Sequence, residues 1–275
     1  MTWAYQDGAF VPASEAKVSA DDAGLLHGRG VFETFRAGRG RVYLLERHWS
    51  RLRAGATVLG IDVPVSLAEL EAAVGELSER CRLDDARVRV TLTAGAPDGR
   101  PSLLVQARPA LDYPEELYRR GLAAVIASAR RNEMSPLSRV KTLSSLDNVL
   151  AREEARRAGA DEALFLNTRG RLAEGSATNI FLVRAGELLT PPVEDGALPG
   201  VTRGALLDLA GEAGLAAREA SLSLEELCGA GEALLTNAVL GVAPLAQVDG
   251  RPVGAGKPGP NARRLRELYE SAVRC

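Results

Sequence analysis

Features that would direct a chain to a membrane, to nucleic acid or to an oxidising compartment are missing from this sequence. No apolar run approaches the ~18 residues that a membrane-spanning helix needs, and the first residues lack the basic and then apolar layout of a signal peptide. The net charge of −2 provides no basic field for nucleic acid. Cys81, Cys228 and Cys275 are widely spaced and predict neither a disulfide framework nor a zinc site. We expect a protein of the reducing cytoplasm.

Lysine is also scarce. Of 34 basic residues, only Lys17, Lys141 and Lys257 are lysines, and the other 31 are arginines. Arginine can replace lysine as a charge, but it cannot lose its proton and form an imine. A lysine that persists in such a chain is therefore either a chance survivor or an amine that the chemistry requires. We interpret Lys17 and Lys257 as chance survivors; for Lys141, composition leaves both explanations open.

The patterns that are present mix strands and helices without a regular βαβ repeat. Asp7-Gly8 between short apolar stretches predicts a tight hairpin, and helical spacing follows over residues 46–59 and 67–82. The pattern weakens after Pro109 and a new strand begins near Ala123. We predict an α+β protein with a small N-terminal α/β domain (1–109), a linker (110–122) and a larger C-terminal domain (123–275).

Three further features could bind an anion or supply an acid. Residues 198–203 read Leu-Pro-Gly-Val-Thr-Arg, where free N–H groups at a helix start and the Thr202 hydroxyl could hold a phosphate; a plain helix cap has the same appearance. Arg51, on a predicted helix, could supply the counter-charge or could be solvated. Glu174, between two predicted strands, could pair with a pyridinium nitrogen or could be exposed. Together with Lys141 these residues would suit pyridoxal phosphate.

The order of the motifs resembles the class IV (fold-type IV) pyridoxal-phosphate aminotransferases from about residue 2 to residue 269. This family includes branched-chain aminotransferases, D-amino-acid aminotransferases and 4-amino-4-deoxychorismate lyases. The matching stretches are residues 24–34, His48-x-x-Arg51-Leu52, Lys141-Thr142-Leu143, residues 174–179 and residues 198–203. The resemblance implies a two-domain fold, a homodimer and bound pyridoxal 5'-phosphate.

The resemblance also implies roles for single residues. Lys141 would be the Schiff-base lysine and proton carrier, and Glu174 would pair with the pyridine nitrogen. Arg51, the backbone at Val201 and the Thr202 hydroxyl would bind the cofactor phosphate. The turn at residues 236–239, including Ala238, would add phosphate or substrate-carboxylate contacts through backbone N–H groups.

Departures from the family patterns indicate which reaction to expect. Branched-chain members carry a tyrosine five residues after the lysine, where this chain has Leu146, and D-amino-acid members use a tyrosine where Phe32 stands. Phe32-Glu33-Thr34, the lysine segment and the Asn237-Ala238 turn look more like the aminodeoxychorismate lyases. We therefore predict a lyase that releases pyruvate and 4-aminobenzoate for folate synthesis. The predicted substrate-binding residues are Thr34, Arg100 and Asn237. The alternatives are an aminotransferase and a cofactor-binding protein without turnover.

Overall fold

The computed structural model describes residues 2–97 and 99–274 and divides into two compact units. The first unit comprises Met1–Asp112 together with Val140–Ser144, and the second comprises Tyr113–Arg139 together with Ser145–Cys275. Each unit has its own sheet and helices in irregular succession, which confirms the α+β fold class.

The first unit is built on a six-stranded sheet with helices on one face. Its elements are β1 (Trp3–Gln6), β2 (Ala9–Pro12), α1 (Ala23–His27), β3 (Gly30–Gly38), β4 (Arg41–Val42), α2 (Leu45–Val58), α3 (Leu67–Cys81), β5 (Asp85–Thr93) and β6 (Ser102–Pro109). The strand order is β2-β1-β6-β5-β3-β4. Side chains alternate along β3, so that Val31 and Phe35 enter the core with Leu52 of α2 and Leu77 of α3. The other face of β3 carries Phe32.

The segment Val140–Ser144 lies alongside β3 and so joins the first unit. Phe32 N–H donates to the Lys141 carbonyl at 2.9 Å, and Leu143 N–H donates to the Gly30 carbonyl at 2.9 Å. A Cβ at Gly30 would come within 2.6 Å of the Leu143 side chain, so that this close approach requires glycine. The sequence pattern predicts residue 141 within the stretch 123–275 instead. Pairing between segments about 110 residues apart leaves no local pattern in the sequence.

The second unit is built on a longer mixed sheet. Its helices are α4 (Glu115–Arg120), α5 (Leu146–Arg157), α6 (Val201–Leu209), α7 (Leu224–Cys228) and α8 (Pro260–Arg274). Its strands are β7 (Leu122–Ile126), β8 (Glu162–Leu166), β9 (Leu172–Gly175), β10 (Asn179–Arg184), β11 (Glu187–Thr190), β12 (Ala216–Glu219), β13 (Glu232–Asn237), β14 (Gly241–Val248) and β15 (Arg251–Pro252). The order is β12-β11-β10-β13-β14-β7-β8-β9, with β15 beside β14.

Strand β8 is buried along its whole length, and so is β10 up to Arg184, which explains their nearly continuous apolar sequences. Helices α6 and α8 pack on the sheet at β13 and β14, and α5 packs on β8.

The stretch 110–122, predicted as a linker, contains α4 and the first residue of β7. Pro109, Asp112 and Pro114 interrupt the pattern, but Pro114 also stands directly before α4, a position that proline tolerates. Tyr118 of this helix donates its hydroxyl to the Leu240 carbonyl at 2.8 Å, which ties α4 to the second unit.

In the described part of the chain, no helix is both long enough and apolar enough to cross a membrane. Within the same residues, no group of three or more histidine, cysteine, aspartate and glutamate side chains could hold a metal ion.

Candidate active site

Lys141 lies over an aromatic ring on the face of the first unit's sheet opposite α2 and α3, here called the open face. Its Nζ is 4.5 Å from the centroid of the Phe32 ring, and the residue is half-buried. The guanidinium carbon of Arg89, on the neighbouring strand β5, lies 3.9 Å from the same centroid. The ring face attracts both cations and so fixes where each can lie.

Arg89 is a second cation beside the lysine. Burial, and then the charge of Arg87, lower the pKa of Arg89. Its Nε donates to the Thr91 hydroxyl at 3.3 Å, and no described carboxylate forms an ion pair with it. A half-buried guanidinium in this position is suited to bind the carboxylate of a small molecule.

Arg51 is held by a buried carboxylate. Its Nε and a terminal nitrogen donate to the two oxygens of Glu33, each at 2.7 Å, in a bidentate pair. His48, one helical turn before Arg51 on α2, places Nδ1 2.8 Å from Glu33 Oε2. Both Glu33 and His48 are almost fully buried. The pair fixes the orientation of the Arg51 guanidinium.

The ionisation of this cluster follows from its neighbours. Burial opposes the charge of Glu33, but the Arg51 charge and hydrogen bonds from His48 and Arg51 outweigh it and lower the pKa of Glu33 to about 2. Burial lowers the pKa of His48; its hydrogen bond to Glu33 offsets this in part, and the charges of Arg51 and Lys141 lower it further. His48 is therefore neutral near pH 7 and donates from Nδ1, since the carboxylate can only accept.

Two predicted substrate residues of the first unit lie in different surroundings. Thr34 is half-buried on β3, directly opposite Arg89 in the strand register. Arg100 is exposed in the loop between β5 and β6. The structure thus places Thr34 beside Arg89 and Phe32. The Arg100 side chain forms no hydrogen bond or ion pair with a described residue.

Glu174 is buried in the second unit, at the end of β9. Its Oε1 accepts from Arg131 at 2.8 Å, and its Oε2 accepts from the Leu198 N–H at 2.9 Å. Arg131 also lies 4.3 Å over the Phe165 ring. Glu174 is thus an oriented anion rather than an exposed side chain.

The turn after Glu174 depends on a second buried carboxylate. Glu162 accepts from the hydroxyls of Ser176 and Thr178 and from the Ala177 N–H, the last at 3.2 Å. Asn148 of α5 donates to the Ser176 carbonyl at 2.8 Å. These bonds fix the course of the chain between β9 and β10.

Helix α6 begins at the predicted phosphate cradle. Gly200 is its N-cap and supplies no side-chain cap, so that the N–H groups of the first turn remain available to an anion. The buried Thr202 hydroxyl lies 3.2 Å from the Tyr269 hydroxyl. Asn179 donates to the Leu198 carbonyl at 2.9 Å and packs against Gly200, where a Cβ would approach its Oδ1 to 1.9 Å.

The turn at residues 236–239 is held by the side chain of Asn237. Asn237 Oδ1 accepts from the N–H groups of Val239 and Leu240, at 2.9 and 2.7 Å, and its Nδ2 donates to the Ala177 carbonyl. The Val239 N–H is therefore already hydrogen-bonded, and the phosphate or substrate-carboxylate contacts expected from this turn remain a prediction. Ala238 is half-buried at the tip of this turn.

Comparison with known proteins identifies the family. The sequence model of the family described as amino-transferase class IV matches residues 30–248. This chain belongs to the class IV aminotransferases. A Methanocaldococcus jannaschii protein named "Putative branched-chain-amino-acid aminotransferase" is 37% identical over 97% of this chain and 94% of its own. The D-alanine aminotransferase of Bacillus licheniformis is 28% identical over 97% and 95%.

A solved structure is also similar throughout. The T.th. branched-chain amino acid aminotransferase with pyridoxamine 5'-phosphate has a TM-score of 0.93 and 32% identity, over 99% of this chain and 94% of that one. As a class IV aminotransferase, the protein is a pyridoxal-phosphate-dependent enzyme. Groups of the kinds that this cofactor needs are present in the chain: an amine and Arg51 in the first unit, and a carboxylate and an uncapped helix start in the second.

Several residues of this class IV aminotransferase site were not predicted from the sequence. Arg89 lies in an alternating strand, where nothing distinguishes it from the outward-facing Arg87. Arg131 follows another arginine in an irregular segment. For Glu33, a signal was present: it occupies an inward position of β3, and His48-x-x-Arg51 places two side chains on one face of α2. A buried glutamate needs such partners.

Proposed function

We propose that this enzyme is a branched-chain amino acid aminotransferase, which moves an amino group from a small aliphatic amino acid to a 2-oxo acid. Full-length similarity to branched-chain enzymes, at 37% identity in one relative and a TM-score of 0.93 in a solved structure, carries the proposal. The lyase reaction preferred from the sequence has no counterpart among the relatives named above, which instead favour the amino-transfer alternative. Phe32 gives the lysine an apolar neighbour suited to an aliphatic side chain.

The site residues are assigned the following parts. Lys141 binds the cofactor and then carries a proton to and from the reacting carbon. Arg89, with Thr34 opposite, binds the carboxylate that amino and oxo acid share. Arg51, Val201, Thr202 and Ala238 hold the cofactor phosphate, and Glu174 holds the ring nitrogen in its protonated form. The cofactor supplies an electron sink for the Cα–H bond electrons.

We also propose a homodimer in the cytoplasm. Helix α5 exposes Leu146, Val149 and Leu150, at 67, 55 and 53%, which form one apolar stripe at helical spacing. Exposed stripes of this kind are typical of protein interfaces. A second copy of the chain would cover the stripe.

An assay of the purified enzyme with added cofactor, in three arms, tests the reaction. Its arms are L-leucine with 2-oxoglutarate, D-alanine with 2-oxoglutarate, and aminodeoxychorismate alone. We expect glutamate to form from L-leucine at the highest kcat/KM. Faster turnover of D-alanine, or release of 4-aminobenzoate and pyruvate, would assign the enzyme to another branch of the family.

A further inference from the structure

The open face of the first unit's sheet carries two rows of polar side chains. Strand register places Thr34 of β3, Arg89 of β5 and Gln106 of β6 side by side. The next row on the same face consists of Arg36, Arg87 and Arg108. Three arginines therefore stand next to one another across three strands.

The charges in this second row are not balanced. Arg36 forms a bidentate pair with Asp85. For Arg87 and Arg108, which face each other directly, the described residues include no carboxylate in an ion pair and no hydrogen-bond acceptor of either side chain. Like charges directly opposite in a sheet are destabilising. An anion bound between the two guanidinium groups would remove this repulsion.

The arginine pair is continuous with the reactive lysine. Arg89 stands next to Arg87 on the same face of β5, and it shares the Phe32 ring with Lys141. From the Phe32 row to the Arg87 row is four residues, or about 13 Å at ~3.3 Å per residue. Arg108, Arg87 and Arg89 thus form a line of cations that leads to the amine of Lys141.

We infer that Arg87 and Arg108 form a carboxylate-binding pair that captures the oxo acid acceptor from solution and passes it to Arg89. Guanidinium groups bind carboxylates in bidentate geometry, and a line of cations raises the local concentration and association rate of an anion. A small 2-oxo dicarboxylate gains more from this pair than a monocarboxylate, because it carries two negative charges. The inference rests on the proposed aminotransfer to a 2-oxo acid and adds a capture site for the acceptor.

The test compares the double variant R87Q/R108Q with R130Q, which removes an exposed arginine of the second unit for which no ion pair is described. We expect the double variant to lose about tenfold in kcat/KM for 2-oxoglutarate at low ionic strength, since steering acts on association. The loss should fall on kcat/KM rather than kcat, and should vanish at high salt. R130Q should behave as wild type.

Binding of glutarate, an unreactive dicarboxylate, to the holoenzyme is measured by calorimetry in the same variants. If glutarate binds more weakly to R87Q/R108Q but not to R130Q, the result supports Arg87 and Arg108 as a carboxylate-binding pair. This holds even if 2-oxoglutarate proves not to be a substrate and the proposed function fails. Unchanged glutarate affinity together with unchanged kcat/KM overturns the inference. A changed sedimentation coefficient of R87Q/R108Q without any salt-dependent loss of kcat/KM also overturns it, because the arginines would then contact acidic groups of a second copy. Removing the repulsion should leave Tm unchanged or raise it, so misfolding is not expected.

Discussion

Among single residues, Lys141 is predicted to be required for its amine and not for its charge. Lys141→Ala and Lys141→Arg should both abolish the visible absorbance of the cofactor imine and reduce aminotransfer by at least about a thousandfold. The exposed Lys257 provides the control. Lys257→Ala should keep the spectrum and the rate, and an active Lys141→Arg enzyme would contradict the assignment.

Glu33 is predicted to contribute strongly to stability because it is buried between two partners. Glu33→Gln removes the carboxylate charge that pairs with the Arg51 guanidinium and should lower the free energy of unfolding by about 3 kcal/mol. The control is Asp85→Asn, which breaks an exposed ion pair with Arg36 and should cost less than about 1 kcal/mol. Urea denaturation measures both, and equal losses would show that burial of the pair has no such effect.

The same cluster predicts how stability depends on pH. The pKa of His48 is lowered in the folded state, so the unfolded chain takes up this proton first, and stability falls as the pH drops below about 6.5. The pKa of Glu33 is lowered to about 2, so its contribution is complete above its ordinary value of 4.5 and is lost between 4.5 and 2. His48→Gln should flatten the upper part of the curve and Glu33→Gln the lower part. Denaturation at a series of pH values would contradict this if His48→Gln kept the wild-type slope between pH 5 and 7.

The sequence predicted some of these residues but not the partners that hold them. Lys141, Arg51 and Glu174 could be named, because their types and order match a family. That Glu33 binds both Arg51 and His48, and that Arg131 binds Glu174, was not predicted, since these bonds join residues 15 to 43 positions apart. The burial of His48 against a carboxylate was likewise not predicted.

Among the elements, the start of α6 is predicted to be sensitive to one methyl group. Gly200 has an ordinary φ of −66°, so alanine meets no backbone strain, but its Cβ would collide with Asn179. Gly200→Ala should displace the Asn179 amide, cost about 1–3 kcal/mol and weaken cofactor binding to the apoenzyme.

Gly211 is the matched control, because nothing lies within 4 Å of the Cβ that alanine would add. Gly211→Ala should change stability by less than about 1 kcal/mol in either direction. Unfolding by urea and fluorescence titration of the apoenzyme with cofactor measure the two effects. Similar behaviour of the two variants would argue against a crowded helix start.

The elements with a strong local pattern were predicted well. The Asp7-Gly8 hairpin is present between β1 and β2, and the helical spacing over 46–59 and 67–82 corresponds to α2 and α3. Helix α4 was missed because it has only six residues and follows Pro114. The place of residues 140–144 beside β3 was missed because backbone hydrogen bonds impose no residue type on the pairing.

For the whole molecule, the stripe on α5 predicts the oligomeric state. Leu150→Glu would put a charge into the apolar stripe and should convert a dimer to monomers. Arg130→Glu changes an exposed charge of the same unit outside α5 and should leave the dimer intact. Sedimentation velocity distinguishes the species, and a monomeric wild-type enzyme would refute the proposed homodimer.

The discontinuity of the first unit has a consequence for synthesis on the ribosome. Residues up to Asp112 emerge first, yet the first part of β3 stays without a partner on one edge until Val140–Ser144 has been translated, because β4 pairs only with the last residues of β3. The nascent unit therefore waits for a segment that also carries the reactive amine. A chain that stalls or is cleaved before residue 140 leaves β3 with an open edge, and such edges recruit other strands. The same segment therefore completes the pairing of β3 and places the lysine in the first unit.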